Sequence, residues 1–246
     1  MTEQGDIFFN RNSYRARMRA DGLVYFRVTE GETDLYIGAA HDLGTEALAA
    51  VKEARSLVSG IIERRPRFQS SLSPLEPFGD EAEWIMKMYR AGQVAGTGPM
   101  AAVAGMIAEY TARALVPLSA ETVVENGGDV FMTGMRERTV AIVAGNSPIS
   151  GKLGLKVLPG PGLSVCTSSG TYGHSLSFGK ADAAVVSAAD AALADAVATM
   201  LGNKCKDVSC LEQAVEWAAA LPGVCGAAAV MGDRLAAAGQ IEFTAL

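Results

Sequence analysis

The order in which strand and helix signals follow one another is the feature that most limits the folds open to this chain. Residues 14–19, 23–28 and 33–39 alternate between polar and apolar side chains, as half-buried strands do. Asp21 and Gly22 stand between the first two segments, and an Asp-Gly pair in that position is typical of a β-hairpin. We therefore expect the chain to open with three neighbouring antiparallel strands.

Helical periodicity follows this opening region. Apolar residues recur at helical spacing from Thr45 until Pro66, and the Thr45 hydroxyl is a suitable N-terminal cap. Asp80 and Glu83 have the spacing of a capping box, which predicts the start of a second helix. A third helix should begin at Pro99, because the first position of a helix does not need an amide hydrogen.

A long run of strand signals separates these helices from two more near the C-terminus. The predicted strands cover residues 122–125, 129–132, 139–144, 155–158, 163–167 and 183–187. Helices follow at 189–201 and after Ser209, and closing strands at 224–231 and 240–244. This mixed order predicts an α+β fold of mixed sheets with packed helices. We expect one domain over residues 1–246, with two halves around a central cleft.

Composition narrows the classes of partner. The 246 residues carry a formal net charge of -6, which argues against a nucleic-acid partner because phosphates require a basic surface. The longest charge-free apolar stretch, residues 100–108, is shorter than the ~20 residues of a membrane span. The first residues, MTEQGDIFFN, lack the basic and apolar regions of a signal peptide. We therefore expect a soluble, cytoplasmic protein.

Four cysteines are present, and their spacing matches no standard zinc motif: Cys166, Cys205, Cys210 and Cys225. Reduced structural thiols are the ordinary interpretation in a cytosolic chain. A redox, metal or sulfur-carrying role stays open as the alternative, above all for Cys166, which directly precedes a segment rich in hydroxyls.

Two loop segments are candidates for ligand binding. The first comprises Asn126, Gly127, Gly128 and Asp129, where the glycines let backbone amides approach a ligand and Asp129 can accept hydrogen bonds from it. The second comprises Thr167, Ser168, Ser169 and Gly170, followed by His174, and its hydroxyls and amides could line a nest for anionic oxygens. The alternatives are an ordinary β-turn and a polar loop bonded to itself, with a structural histidine.

Asp195 and Thr199 form the third candidate site. They are four residues apart on a predicted helix, so both project from one face. A carboxylate and a hydroxyl together suit Mg²⁺, which usually takes one or two protein carboxylates, waters and a phosphate. In the alternative interpretation, the threonine bonds back into the helix and the aspartate faces solvent.

Taken in order, these segments resemble the ApbE superfamily of flavin transferases. The resemblance rests on AAVAGMIAE at 101–109, NGGDV at 126–130, TSSGTY at 167–172, His174, and ADAVAT at 194–199. It implies an ApbE-like (T-fold-like) fold and a Mg²⁺ site formed by Asp195, Thr199 and a backbone carbonyl near Ala101. It also implies that the G-G-D turn, the T-S-S-G segment and His174 line a cleft for FAD, FMN or another nucleotide. His174 and Asp195 would be the catalytic residues.

The family reaction divides the FAD pyrophosphate and moves FMN onto a threonine of a protein acceptor. This chain departs from the pattern at Ala104, where the transferases have lysine, and around the histidine, where HSLSFG replaces H-x-x-D-P. Two alternatives therefore stand beside the transferase: a non-catalytic binding or assembly protein, and an enzyme of sulfur assimilation such as homocysteine synthesis in anaerobes. Its Ala-rich helices and acidic surface are compatible with a homodimer.

Overall fold

The computed structural model describes residues 14–18, 20, 22–169 and 179–246, so the predicted site residues Gly170 and His174 lie outside the described residues. The strands are β1 (Val24–Glu30), β2 (Thr33–Ala39), β3 (Thr122–Asn126), β4 (Asp129–Gly134), β5 (Arg138–Ala141), β6 (Leu153–Val157), β7 (Gly160–Ser168), β8 (Ala183–Ala188), β9 (Val224–Met231), β10 (Arg234–Gly239) and β11 (Phe243–Ala245). The helices are α1 (Gly44–Arg64), α2 (Arg67–Ser70), α3 (Glu83–Ala95), α4 (Val103–Leu115), α5 (Ala191–Lys204) and α6 (Leu211–Ala219), with 3₁₀ turns at Pro99–Ala102 and Val208–Cys210.

Within the described ranges, eight strands form one antiparallel sheet whose order nearly repeats the order of the chain. The sheet runs β1-β2-β3-β4-β7-β8-β9-β10, and a smaller sheet runs β11-β6-β5. Helices α1 to α4 are inserted between β2 and β3, and helices α5 and α6 between β8 and β9. Each half of the large sheet therefore reads strand, strand, helices, strand, strand, and the predicted α+β fold is confirmed.

Strand alternation gives the large sheet two buried faces. Val124 and Phe131 point into a core shared with the helices, which we call the helix face. Val123 and Met132 point into a second core that includes Leu155 of the small sheet, which we call the far face. The two faces follow from the period of two along a strand. The large sheet is therefore the middle layer between the helices and the small sheet.

Strand register brings several turns to one end of the large sheet, which we call the bend end. Asn126 pairs with Asp129 across the β3–β4 bend, and Asp129 pairs in turn with Cys166 near the end of β7. On the other side, Tyr36 of β2 pairs with Glu125 of β3, so the β1–β2 turn lies at the same end. Residues far apart in the sequence are thereby collected at one place.

The N-terminal segment departs from the prediction, because Tyr14 and Arg15 form a helical turn and not a strand. The Tyr14 hydroxyl donates to Glu125 Oε1 at 2.7 Å, and Arg15 Nε donates to Glu125 Oε2 at 2.6 Å. Arg15 Nη1 also donates to Asp34 Oδ1 at 2.9 Å. Buried polar groups must find partners, so these long-range contacts override the local alternation of the sequence.

Both predicted helix caps are wrong, although both helices are present. Helix α1 begins at Gly44, one residue before Thr45, and no side chain caps it. Helix α3 begins at Glu83 without a side-chain cap, because Asp80 instead pairs with Arg64 at 2.8 Å. Within the part of the chain that the structure describes, no helix combines the length and the apolar character that crossing a membrane demands.

The C-terminal hairpin also differs from the prediction. Strand β9 has the predicted bounds, but the turn at Gly232 leads directly into β10, and no strand covers residues 240–244 as a whole. Arg234 of β10 lies opposite Met231 of β9, and the pairing continues to Gly239 opposite Gly226. The β10 sequence is rich in alanine and has weak strand propensity, so the paired neighbour decides its conformation.

Candidate functional site

A cleft of about 1460 Å³ reaches the bend end of the large sheet. The predicted site residues that line it are Asn126, Gly127, Gly128, Asp129, Thr167, Ser168, Ser169, Asp195 and Thr199. The β3–β4 bend, the end of β7 and one face of α5 therefore meet in one cavity. Ala101 is not among the described lining residues. It belongs to the Pro99–Ala102 turn, which packs against α5.

The β3–β4 bend depends on its two glycines. Gly127 has a φ of 68° and Gly128 a φ of 110°, and these backbone conformations strongly favour glycine. The side-chain amide of Asn126 donates from Nδ2 to the Ala104 carbonyl at 3.0 Å. The Gly128 amide donates to Glu125 Oε1 at 3.0 Å. The bend is thus fixed both to the start of α4 and to the buried Glu125.

Asp195 lies where helices α4 and α5 come closest. Its Oδ2 accepts a hydrogen bond from the Gly105 amide at 2.9 Å. A Cβ added at Gly105 would lie 2.3 Å from the Ala191 carbonyl oxygen and 2.9 Å from the Asp195 Cβ. Glycine at position 105 therefore allows the close helix approach that holds this carboxyl against the first turn of α4.

The carboxyls of Asp129 and Asp195 repel each other. Burial raises the pKa of Asp129 to about 7; the charge of Glu125 adds to this increase, while a hydrogen bond with Cys166 opposes it. Burial also raises the pKa of Asp195 well above its usual range, and the charge of Asp129 adds to this increase. No salt bridge within the described ranges reaches either carboxyl. A cation between them would relieve the repulsion.

The oxygen atoms in this part of the cleft fit Mg²⁺ better than a transition metal. The described residues contain no cluster of three His, Cys, Asp or Glu side chains that could hold a metal by themselves. A cation would therefore take the Asp195 carboxyl, the Thr199 hydroxyl one helical turn later, and oxygens of water and ligand. Hard oxygen donors with few protein ligands are characteristic of Mg²⁺ sites that also bind phosphates.

Cys166 lies beneath the cleft and does not open into it. Its side chain is fully buried on β7, where the sulfur lies 3.1 Å from Ser164 Oγ and donates to the Ala191 carbonyl at 3.7 Å. Burial raises the pKa of the thiol well above its usual range, and the charges of Asp129 and Asp195 raise it further. A buried thiol held in its neutral form is a poor nucleophile.

Within the described residues, the cations that line the cleft are Arg17, Arg55 and Arg138, and no sequence motif indicated any of them. They come from the N-terminal segment, from α1 and from β5, none of which carries a recognisable motif. One signal was available on α1, because Arg55, Ser59 and Ile62 have helical spacing and all three line the cleft.

The fold is that of the flavin transferases of the ApbE class. The flavin transferase ApbE from Vibrio cholerae matches with a TM-score of 0.57 and 11% sequence identity, covering 91% of this chain and 96% of that chain. The apo form of the Pseudomonas stutzeri flavinyl transferase ApbE matches with a TM-score of 0.56 and 12% identity, covering 88% and 94%. At such low identity the similarity defines the fold alone.

Sequence similarity defines the family. The chain belongs to the family described as AbpE bacteria, whose model matches residues 15–231. A UPF0280 protein of Methanocella arvoryzae is 40% identical over 212 residues, which are 85% of this chain and 86% of the relative. A UPF0280 protein of Methanothermobacter thermautotrophicus is 38% identical over 196 residues, 77% of this chain and 75% of the relative. The resemblance to the ApbE superfamily is confirmed.

Proposed function

We propose that this protein binds FAD, or another nucleotide that carries a pyrophosphate, together with Mg²⁺ in the central cleft. The observation that carries the proposal is the Asp129–Asp195 pair: two mutually repelling carboxyls beside a glycine bend, with no salt bridge from any described residue. The ApbE fold, which this chain shares with flavin transferases of known structure, supports a flavin as the ligand.

Each part of the site would have a separate task. Mg²⁺, when bound, would neutralise charge on the pyrophosphate and stabilise AMP as a leaving group. Asp195 and Thr199 would supply protein oxygens to the metal, with a backbone carbonyl near Ala101 as a further ligand. The amides of the glycine bend and the hydroxyls of Thr167, Ser168 and Ser169 would hold the nucleotide. Asn126 would fix the bend through its bond to Ala104.

The reaction that suits this arrangement is transfer of FMN from FAD to a hydroxyl of a protein acceptor. The acceptor oxygen forms a bond to the phosphorus on the FMN side, and the bond from that phosphorus to the bridging oxygen breaks. AMP leaves with the bonding electron pair. The hydroxyl proton passes to a base, for which the sequence offers His174. No oxidant or reductant is needed.

A second candidate, a non-catalytic binding protein, is favoured by one observation. Ala104 lines the cleft at the first turn of α4 with a methyl group, so no cation stands at that position near the bend. A protein with this site could hold a nucleotide without dividing it. The sulfur-carrier alternative has less support, because Cys166 is fully buried and its pKa is raised.

The test is to mix the purified protein with FAD and Mg²⁺ and to follow flavin fluorescence and the release of AMP. We expect saturable FAD binding that a chelator reverses and that Asp195→Asn weakens about a hundredfold or more. Asp233→Asn is the matched control, because it makes the same change at a carboxyl that is mostly exposed. AMP release supports the transferase, and binding without AMP supports the non-catalytic protein. The proposal would be refuted if the affinity for FAD changed neither on removal of Mg²⁺ nor in Asp195→Asn.

A further inference from the structure

A ligand with a pyrophosphate would bring negative charge into a cleft that already has a surplus of it. The described part of its lining includes the carboxyls of Glu32, Glu63, Glu125, Asp129 and Asp195. The cations among the described lining residues are Arg17, Arg55 and Arg138. Which of these arginines faces the glycine bend therefore decides where the protein itself can neutralise a phosphate.

Two of the three arginines belong to the far face of the sheet. Arg138 lies on β5 of the small sheet and pairs with Glu121, and its side chain is only 11% exposed. Arg17 belongs to the N-terminal segment, which the bond between Arg15 and Glu125 holds against the far face. The carboxyls of Asp129 and Asp195 lie on the opposite face of the sheet, the helix face. Neither arginine is therefore suited to a phosphate bound beside Asp195.

Arg55 lies on the helix face. It projects from α1 in line with Ser59 and Ile62, which occupy the following turns on the same side of the helix and also line the cleft. Met100, in the Pro99–Ala102 turn, and Val103, the first residue of α4, also line the cleft. This face of α1 therefore gives the cleft a wall with a guanidinium at its end.

The β1–β2 turn fixes the position of the guanidinium. Arg55 Nη1 donates to Thr33 Oγ1 at 2.8 Å, and Nη2 donates to Glu32 Oε2 at 3.0 Å. Gly31 has a φ of 55°, and a Cβ added there would lie 2.5 Å from Arg55 Nη2. Glycine at position 31 thus leaves room for the guanidinium beside the turn. An arginine has more donors than these two bonds use, so others stay available for a ligand.

Strand register brings this arginine to the bend end. Tyr36 of β2 pairs with Glu125 of β3. From this pair, β2 extends back towards Thr33 and β3 extends forward towards the glycine bend, so Thr33 lies at the bend end of the sheet. Thr33 has the same parity as the buried Leu35, so it faces the helices. The Arg55–Thr33 bond therefore lies at the bend end of the sheet, on the same face as Asp129 and in the same cleft as the glycine bend.

We propose that Arg55 is the specificity-determining cation of the cleft, which binds a phosphate oxygen of the ligand and so selects for phosphorylated flavins or nucleotides. The inference rests on the proposed function, because it needs a phosphate-bearing ligand beside the bend. In this arrangement Arg55 would contact the phosphates of the ligand from one side. The Asp129–Asp195 pair, with its bound Mg²⁺, would contact them from the other side.

The experiment compares Arg55→Met, Arg55→Lys and Arg64→Met in binding FAD, ADP and riboflavin, all with Mg²⁺. Arg64→Met is the matched control, since it removes the same charge from the same helix where Arg64 pairs with the exposed Asp80 and does not line the cleft. We expect Arg55→Met to weaken the binding of FAD and of ADP about tenfold or more. Arg55→Lys should lose less of the affinity for FAD and ADP than Arg55→Met does. Riboflavin, which has no phosphate, should bind equally to all variants.

The outcomes separate this inference from the proposed function. If the unaltered protein binds FAD or ADP and Arg55→Met binds it as tightly as Arg64→Met does, the inference is wrong and the proposed function stands. An equal loss of riboflavin and FAD in Arg55→Met would also overturn it, because the arginine would then act on the general shape of the cleft. If ADP binds but FAD does not, the flavin assignment fails, and the ADP comparison still tests Arg55. A thermal melt of each variant establishes that it is folded.

Discussion

Two pairs of carboxyls on opposite faces of one sheet show what distinguishes a structural network from a binding site in this molecule. On the far face, Arg15 donates to both Glu125 and Asp34. On the helix face, Asp129 and Asp195 receive no salt bridge from the part of the chain that the structure describes. Glu125 and Asp129 are four residues apart on one hairpin, yet of the two only Glu125 forms an ion pair with a described residue.

The pKa values express this difference. Burial alone would raise the pKa of Asp34, but hydrogen bonds from Arg27 and Arg15 lower it to about 2. Burial raises the pKa of Asp129 to about 7, with no arginine to oppose it. The comparison teaches that burial does not by itself mark a functional carboxyl. A carboxyl that is buried and left without a protein cation is the one prepared to receive a cation from outside.

The largest effect is expected on the far face. Arg15→Met should lower the free energy of unfolding by about 3–5 kcal/mol, because Glu125 would remain buried without its cation, whereas Asp34 would keep its bonds to Arg27. Urea denaturation measures this change. Arg27→Met is the control, since the Arg27 side chain is 53% exposed and exposed ion pairs contribute about 1 kcal/mol or less. Equal losses in the two variants would remove the contrast between the faces.

A second effect is expected from pH on the helix face. Because the pKa of Asp129 is raised in the folded state, the unfolded chain loses this proton first as pH rises, so stability falls between about pH 4 and about pH 7. Each unit of the shift corresponds to ~1.4 kcal/mol. Thermal melts without added metal should therefore show a higher Tm at about pH 5 than at about pH 7.5.

Asp129→Asn provides the comparison for that measurement, because it removes the titrating group while keeping the shape of the side chain. The difference in Tm between the two pH values should shrink in this variant. Mg²⁺ with FAD should raise the Tm of the unaltered protein most at the higher pH, since ligand binding to the folded state adds stability. Parallel pH profiles for the two proteins would show that Asp129 is not the group responsible.

The architecture was largely readable from local patterns. Strand β2 and strand β9 have the predicted bounds, and α1 ends before Pro66 as expected. The failures share a cause, which is that distant partners decided the local conformation. Arg15 is held in a helical turn by Glu125, and β10 is held in the sheet by β9. No window of neighbouring residues contains those contacts.

The candidate site was predictable in its parts and not in its electrostatics. The turn signal at Gly127-Gly128 and the helical spacing of Asp195 and Thr199 were visible in the sequence, and the structure brings them into one cleft. Arg55 was not visible as a site residue, because its place depends on strand register and on a positive φ at Gly31. Chemistry that arises from topology cannot be read from spacing along the chain.

The most direct test of the central claim is a titration with Mn²⁺, which replaces Mg²⁺ and is observed by electron paramagnetic resonance, in the presence of FAD. The Asp129–Asp195 pair should remove about one equivalent of Mn²⁺ from solution, and added Mg²⁺ should release it. Asp195→Asn should leave the Mn²⁺ free, whereas Asp233→Asn, at a mostly exposed carboxyl, should bind it as before. Equal Mn²⁺ binding by Asp195→Asn and the unaltered protein would contradict the account.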